Sequence, residues 1–106
     1  MEGYIYLILD GEFFKIGVAK NVIKRKKGLQ TGNPYDLTIL KTHKSKNPFK
    51  VEKMLHMYYH KNRVNGEWFD LSLNEVKEFL DVCQKYEDIV ELLVEENPFF
   101  GKKHKF

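Results

Sequence analysis

Three side chains in the first 60 residues are of types that could bind a phosphate group and a divalent metal ion. Arg25 can bind a phosphate through two parallel hydrogen bonds, a geometry that the point charge of a lysine does not reproduce. Glu52 could hold one Mg²⁺, because this ion is often bound by one or two carboxylates together with water and phosphate oxygens. His56 follows four residues later, so on a helix it could orient this carboxylate, bind phosphate or simply pack.

The elements that must position these side chains begin with a predicted hairpin. Residues 4–9 and 13–18 are rich in β-branched and aromatic types, and Asp10-Gly11 between them is typical of a two-residue type I′ turn. That turn predicts strand partners whose numbers sum to 21, which places Tyr6 opposite Lys15. Because side chains alternate along a strand, Tyr4, Tyr6, Lys15 and Gly17 share one face, and the other face is an apolar one formed by Ile5, Leu7, Leu9, Phe14, Ile16 and Val18.

A short, lysine-rich helix is predicted after the hairpin. Asn21 is a plausible N-cap, and Gly32 ends the segment. The run Lys24–Lys27 is expected to contact phosphates, although a plain solvated helix face would have the same composition. Three further polar residues could contact a nucleic acid backbone, but their types also suit an ordinary turn. The candidate nucleic-acid contacts are Lys20, Lys24, Lys26, Lys27, Gln30, Thr31 and Asn33.

The middle of the chain predicts a third strand and a second helix. Residues 35–42 have a strand-like composition, and Asn47-Pro48 opens a helix that runs to about residue 61, with proline at its favoured first position. Spacing predicts two neighbouring stripes on this helix. The core stripe comprises Val51, Leu55 and Tyr58, and the neighbouring stripe comprises Glu52, His56 and Tyr59.

The last third of the chain predicts a short extended segment followed by two acidic helices. Residues 66–71 have the extended pattern, and Ser72 with Glu75 forms a capping box, with Leu71 and Val76 as its hydrophobic staple. Asn97-Pro98 is expected to end the second helix. The residues expected to be buried are Val76, Phe79, Leu80 and Cys83 on the first helix and Ile89, Val90 and Leu93 on the second, which spans about residues 86–96.

Charge is distributed very unevenly along the 106 residues, although the net charge is only +3. Residues 1–63 contain 13 Lys/Arg against 5 Asp/Glu, whereas residues 64–96 contain 2 against 10. Such asymmetry suggests a half that faces a polyanion, although two solvated faces would also explain it. The single Cys83 excludes an intrachain disulfide, and no apolar run is long enough to cross a bilayer. We therefore expect an intracellular (cytoplasmic) protein with one domain over residues 1–96 and a basic, mobile tail after it.

Several short motifs follow one another in a definite order. They are Gly3-Tyr4-Ile5-Tyr6, Lys15-Ile16-Gly17, Val18-Ala19-Lys20-Asn21, Arg25, residues 29–34 (LQTGNP), Glu52 with Leu55-His56, and residues 66–69 (GEWF). In this order they resemble the GIY-YIG nuclease superfamily, more specifically its small single-domain branch from phages and large DNA viruses. The likeness covers residues 3–71 and leaves the acidic helices outside it.

The resemblance implies an α+β fold with a three-stranded antiparallel sheet flanked by helices. It also implies metal-dependent hydrolysis of DNA, with RNA not excluded, in a bacterial cell or a virus-infected host. One Mg²⁺ or Mn²⁺ would be held by Glu52, and Tyr6 would lie near the attacking water. The implied catalytic residues are Tyr4, Tyr6, Lys15, Arg25, Glu52 and His56.

Lys15 departs from the superfamily pattern, which has a tyrosine at this position. As a general base, it would need its pKa lowered from about 10.4 by neighbouring positive charge or by burial. Alternatively it would stay protonated and bind the phosphate; the base role is favoured. Glu67 is a further acidic candidate, although the GEWF segment is interpreted as mainly structural, with Trp68 and Phe69 closing the core.

Other functions compete with a nuclease. Tyr4 and Tyr6 could be ordinary cross-strand aromatic packing. A DNA-binding module that has lost cleavage is favoured by the missing tyrosine and the small size. A protein-interaction module would use the basic face for an acidic partner. The acidic helices could repel DNA from one side or mediate a homodimer.

Overall fold

In the computed structural model, which describes residues 2–96 apart from the side chain of residue 96, the centre is one antiparallel sheet of five strands. From one edge of the sheet to the other, the strands are Thr38–Ser45 (β3), Gly3–Leu9 (β1), Phe14–Ala19 (β2), Trp68–Phe69 (β5) and Arg63–Asn65 (β4). The predicted α+β class is confirmed, but the prediction of three strands is wrong. The basic tail predicted for residues 97–106 lies outside the described residues. The elements in chain order are β1 (Gly3–Leu9), β2 (Phe14–Ala19), α1 (Val22–Thr31), β3 (Thr38–Ser45), α2 (Pro48–Tyr58), a 3₁₀ turn (His60–Asn62), β4 (Arg63–Asn65), β5 (Trp68–Phe69) and α3 (Leu73–Glu96).

The two additional strands are very short. β4 and β5 pair with each other around Gly66, which has a φ of +56°. β5 also pairs with β2, where Lys15 lies opposite Trp68. Strands of two and three residues are too short to show a period-2 pattern. The sequence therefore predicts the extended segment at residues 66–71 but not its pairing with β4 and β2.

The hairpin register differs from the prediction. The partners sum to 23, so Tyr6 lies opposite Gly17 and Lys15 lies opposite Ile8. The reason is Asp10, whose Oδ1 accepts hydrogen bonds from the backbone N–H groups of Glu12 and Phe13 at 2.9 and 2.7 Å. This Asx-type bonding favours a longer loop over the two-residue turn. A shift of two residues keeps every side chain on its predicted face.

Both faces of the sheet are covered. The predicted apolar face packs against α2 and α3 in the larger core cluster, which contains Ile5, Leu7 and Ile16. The opposite face carries a second, smaller cluster in which Tyr6 and Ile8 pack with Val22 of α1. The face that carries the phenols and Lys15 is therefore mostly enclosed and not an open outer surface.

The buried stripes of two helices are displaced from their predicted positions. On α2, Tyr59 at the end of the helix is buried with 1% exposure, whereas Tyr58 is 42% exposed. Spacing of 4 and 8 residues from Val51 leads to Tyr59, so the stripe follows i, i+4, i+8. On α3, Leu80 is exposed, and Val82 takes its place in the core. The predicted third strand also lies about three residues later, at Thr38–Ser45.

Local capping signals are confirmed. The Asn21 side chain accepts a hydrogen bond from the Lys24 N–H at 3.0 Å, and Pro48 occupies the first turn of α2. Ser72 and Glu75 form the reciprocal capping box, with distances of 2.8 and 3.2 Å. These signals depend on residues three positions apart, which is why sequence alone reveals them.

The acidic C-terminal region is one continuous helix, α3, and not two. The sequence from Leu73 to Glu96 contains no glycine or proline that would interrupt it. It packs against α2 and β3 and exposes Leu73 and Leu92 to solvent. No helix within residues 2–96 has the length and apolar content needed to cross a bilayer. Self-association through this helix stays a prediction.

One buried polar contact fixes α3 to β3. Glu87 Oε1 lies 3.0 Å from His43 Nε2, and Glu87 Oε2 accepts a hydrogen bond from the Lys46 N–H at 3.2 Å. Both side chains are about nine-tenths buried. The contact therefore connects the acidic helix to the edge strand of the basic half.

We expect Glu87→Ala to destabilise the fold by about 1–3 kcal/mol, because it leaves the buried His43 side chain and the Lys46 N–H without their acceptor. Glu87→Gln is expected to cost less, because its amide oxygen can still accept one of these bonds. Urea denaturation measures both, with Asp81→Ala as the control on an exposed position of the same helix. Equal stability of the Glu87→Ala and Asp81→Ala variants would contradict the expectation.

Candidate active site

The candidate site lies along β2, where its pairing with β5 ends. On β2, the strand partners of β5 are Phe14 and Lys15. At the next residue, the Ile16 N–H donates to the Glu67 carbonyl at 3.0 Å, and the Ile16 carbonyl lies 2.9 Å from His56 Nε2. These bonds bring α2 and the residue preceding β5 to the same strand edge.

Gly17 provides the space for Tyr6. A Cβ at position 17 would overlap the phenol oxygen and Cζ of Tyr6, so the ring lies directly over the glycine backbone. Tyr6 is 1% exposed. The first strand motif therefore supplies the Tyr6 ring, and the second supplies Gly17, whose missing side chain leaves room for that ring.

The Tyr6 hydroxyl is surrounded by charged groups. Burial raises its pKa above the ordinary value, and a hydrogen bond and positive charge from Arg25 oppose that rise. The nearby carboxylates of Glu67 and Glu52 raise the Tyr6 pKa further. Tyr6 is therefore a neutral phenol at pH 7, suited to orient a partner by hydrogen bonding.

Glu52 is the most strongly perturbed carboxyl group of the site. Burial, followed by the charge of Glu67, raises the pKa of Glu52 to about 7, and Lys15 partly opposes this shift. Its side chain is 16% exposed, and Oε2 lies 4.0 Å from His56 Nε2. A carboxylate placed where its charge is unfavourable is typical of a functional site.

Lys15 is held on two sides. Its Nζ donates to Glu67 Oε1 at 2.9 Å and lies 5.6 Å from the centroid of the Trp68 ring. Lys15 is largely buried, whereas Glu67 is partly open to solvent. From the sequence, Glu67 was an acidic candidate for supporting or binding a metal ion, but a structural role for GEWF was favoured, because nothing local to this segment shows that it pairs with β2. The acidic residue directly before an aromatic strand was the available signal.

Glu52 and Glu67 are the two carboxylates of the site that could hold a divalent cation. Within residues 2–96, no group of three or more His, Cys, Asp or Glu side chains could hold a metal ion. Glu52 and Glu67 nevertheless lie close enough to repel each other, a repulsion that a cation would relieve. The Nε2 atom of His56 is engaged with the Ile16 carbonyl and is not free to act as a ligand. Carboxylate oxygens supplemented by water and phosphate suit Mg²⁺ or Mn²⁺.

The remaining predicted residues separate into three locations. Lys20 and Lys24 line a groove of about 430 Å³ that also includes Arg25. Tyr4 lies in a different groove, together with Lys20. Lys26 and Lys27 lie farther along α1, the first half-buried and the second exposed.

Gln30, Thr31 and Asn33 are used to build the loop after α1. The Gln30 amide donates to the Tyr35 carbonyl at 2.7 Å and accepts from the Leu37 N–H at 2.8 Å. Thr31 Oγ1 donates to the Lys27 carbonyl, and Asn33 Oδ1 accepts from the Tyr35 N–H. These contacts support the turn interpretation of these three residues.

The sheet, the flanking helices and the buried polar cluster define a small α+β domain with a charged site at a strand edge. Residues 3–84 match the T5orf172 domain, and the chain belongs to this family. The family is phage-associated and related to nucleases, which is compatible with a nuclease-like or DNA-binding role. No curated protein and no solved structure shows a significant match to the chain.

Proposed function

We propose that this protein is a metal-dependent endonuclease of the GIY-YIG type that hydrolyses phosphodiester bonds in DNA. The observation that carries the proposal is the convergence of five polar side chains from separate parts of the chain: Tyr6, Lys15, Arg25, Glu52 and Glu67. The Tyr6 hydroxyl interacts with Arg25, and the Lys15 ammonium donates to Glu67. Glu52 interacts electrostatically with Lys15 and with Glu67. A purely structural role in the sheet would not require a buried phenol, amine and carboxylate close together.

Glu52, supported by Glu67, would hold one Mg²⁺ or Mn²⁺. When bound, the ion would supply Lewis-acid activation of water and neutralise charge on the phosphoryl oxygens. Arg25 binds the same phosphate from the side of Tyr6, where its planar group can form two parallel hydrogen bonds. Tyr6, a neutral phenol, aligns the attacking water by hydrogen bonding.

Lys15 is assigned to the phosphate and not to proton abstraction. An ammonium group has three hydrogens to donate, and one is already used by Glu67. The other two remain for phosphoryl oxygens beside the metal. The structure thus supports the second of the two roles that the sequence left open for Lys15.

His56 is assigned a positioning role. Its ring connects the Ile16 carbonyl of β2 to α2 and packs against Phe69, with ring centroids 5.1 Å apart. These contacts hold Glu52 at the strand edge, one helical turn before His56. His56 therefore acts through Glu52 and not on the substrate.

A DNA-binding module without cleavage is the second candidate. The observation that favours it is the Lys15–Glu67 ion pair, which occupies one of the two carboxylates of the site. If this pair persists with DNA bound, Glu52 alone would have to hold the ion. Both candidates use the same basic groove for the DNA backbone.

Nicking of supercoiled plasmid and cutting of a branched duplex, each with Mg²⁺ or Mn²⁺, distinguish the two candidates. Glu52→Ala and Arg25→Ala are each expected to lower the rate by about 10²–10³-fold, because each removes charge stabilisation in the transition state. Glu12→Ala removes an exposed carboxylate and is expected to cleave at the wild-type rate. Low-salt DNA binding without cleavage by any of these proteins would establish the binding module instead.

A further inference from the structure

We propose that a second groove, beside the candidate site, binds an unstacked nucleobase of a single DNA strand. The inference rests on the proposed function and adds to it a preference for single-stranded or distorted DNA. The groove has a volume of about 450 Å³ and lies between the start of α1 and the outer face of β1 and β3. We call it the base groove. Its apolar wall includes Tyr4, Ile23 and Ile39, and its rim includes Lys20, Asn21 and Thr42.

The protein core explains only part of the apolar wall, because Tyr4 and Ile39 pack against the smaller core cluster whereas Ile23 faces solvent. Ile23 is 65% exposed in the first turn of α1, and the four residues that follow it are all lysine or arginine. Tyr4 packs only at the margin of the smaller core cluster, and it is a ring that a base could stack on. Because Ile23 lines the same groove as Tyr4 and Ile39, the three side chains form one apolar surface that a flat apolar group could cover.

The base groove is continuous with the groove that leads to the site. Lys20 and Asn21 line both, so the two cavities meet at the turn before α1. The groove lined by Lys20 and Lys24 then reaches Arg25, which interacts with the Tyr6 hydroxyl. A strand with its phosphates along Lys20, Lys24 and Arg25 would therefore place a base next to Tyr4.

The chemistry of the groove favours a nucleobase over a peptide side chain. Cationic side chains at the rim are complementary to the phosphate next to each base, and the Thr42 hydroxyl can bond a base edge. A duplex keeps its bases stacked and would leave the apolar wall uncovered. The groove thus predicts tighter binding of single strands than of duplexes of equal length.

Binding of two fluorescent oligonucleotides tests the inference in EDTA, where no cleavage occurs. One is a twelve-residue oligothymidylate, and the other is an abasic strand of the same length and charge. Tyr4→Ala and Ile23→Ala are each expected to weaken oligothymidylate binding by about tenfold, the size of one lost stacking contact. Binding of the abasic strand is expected to stay unchanged, because its phosphate contacts remain.

Two further variants serve as controls. Phe49→Ala removes another exposed apolar side chain, with 61% exposure, outside the base groove, and is expected to leave both affinities unchanged. Tyr4→Phe keeps the ring and is expected to bind as the wild type does. Ile23 is mostly solvent-exposed, so its variant remains informative even if Tyr4→Ala fails to fold.

The possible failures separate the two proposals. If Tyr4→Ala and Ile23→Ala weaken both strands equally, or neither, the base groove does not bind a base, whatever the outcome of the nicking assay. If the wild type binds the oligothymidylate and the abasic strand with equal affinity, the same conclusion holds. Absence of binding to both strands at low salt would overturn this inference together with the DNA-binding part of the proposed function.

Discussion

Glu52→Gln is expected to melt at a higher temperature than the wild type at pH 8 in EDTA, although it loses cleavage. The folded-state pKa of Glu52 is about 7, raised from an ordinary value of 4.5 mainly by burial. Between these values the folded protein holds a proton that the unfolded chain has released, so wild-type stability falls as pH rises through this window. Above pH 7 the loss is complete, whereas glutamine carries no charge and avoids it.

The expected difference in free energy of unfolding is about 1–3 kcal/mol at pH 8, which corresponds to a rise of roughly 5 °C or more in Tm for a domain of this size. The two melting curves should converge towards pH 4.5. Added Mn²⁺ should stabilise the wild type and not the variant, because only the wild type has the charged ligand. Glu12→Gln, at an exposed position, should follow the wild type at every pH. A constant Tm difference across pH 5–8 would contradict this explanation.

Gly17→Ala is expected to destabilise the protein by about 3 kcal/mol or more. The new Cβ would overlap the hydroxyl oxygen and Cζ of Tyr6, whose side chain is buried. Overpacking of this kind forces strained rotamers or backbone shifts. Cleavage should fall as well, because displacement of Tyr6 disturbs its contact with Arg25.

A double-mutant cycle with Tyr6→Ala isolates this contact. With the ring removed, the added methyl group at position 17 should cost much less than it does in the wild type. Gly28→Ala is the matched control, because nothing lies within 4 Å of its Cβ and alanine is the better helix former. Urea denaturation should therefore show Gly28→Ala at or above wild-type stability. Similar stability of the Gly17→Ala and Gly28→Ala proteins would show that the space over Gly17 is not needed by the Tyr6 ring.

The features that the sequence predicted correctly depend on near neighbours. The faces of β1 and β2 follow from strict alternation, so they survived even though the register moved by two residues. The Asn21 cap and the capping box of Ser72 follow from spacing of three residues. The register itself depends on the Asp10 side chain, which bonds two backbone groups inside the loop and outcompetes the tighter turn.

The features that the sequence did not predict depend on distant partners. Strand β5 forms by pairing with β2, and β4 forms by pairing with β5. The few residues of these two strands carry no periodic pattern. The engagement of Glu67 with Lys15 follows from that pairing. The groove that Tyr4 lines depends on the position of α1 beside the sheet, because Val22 and Ile23 of this helix form part of the same groove.

The Lys15–Glu67 contact joins residues 52 positions apart, and the His56–Ile16 contact joins residues 40 apart. Such pairs form only when most of the domain has already been synthesised and folded, because closing long loops is entropically costly. The hairpin and α1 alone would present Tyr6 and Arg25 without the carboxylates of α2 and GEWF. A ribosome-bound chain therefore has no complete candidate site until residue 67 has emerged, and the proposed activity is expected only of the finished domain.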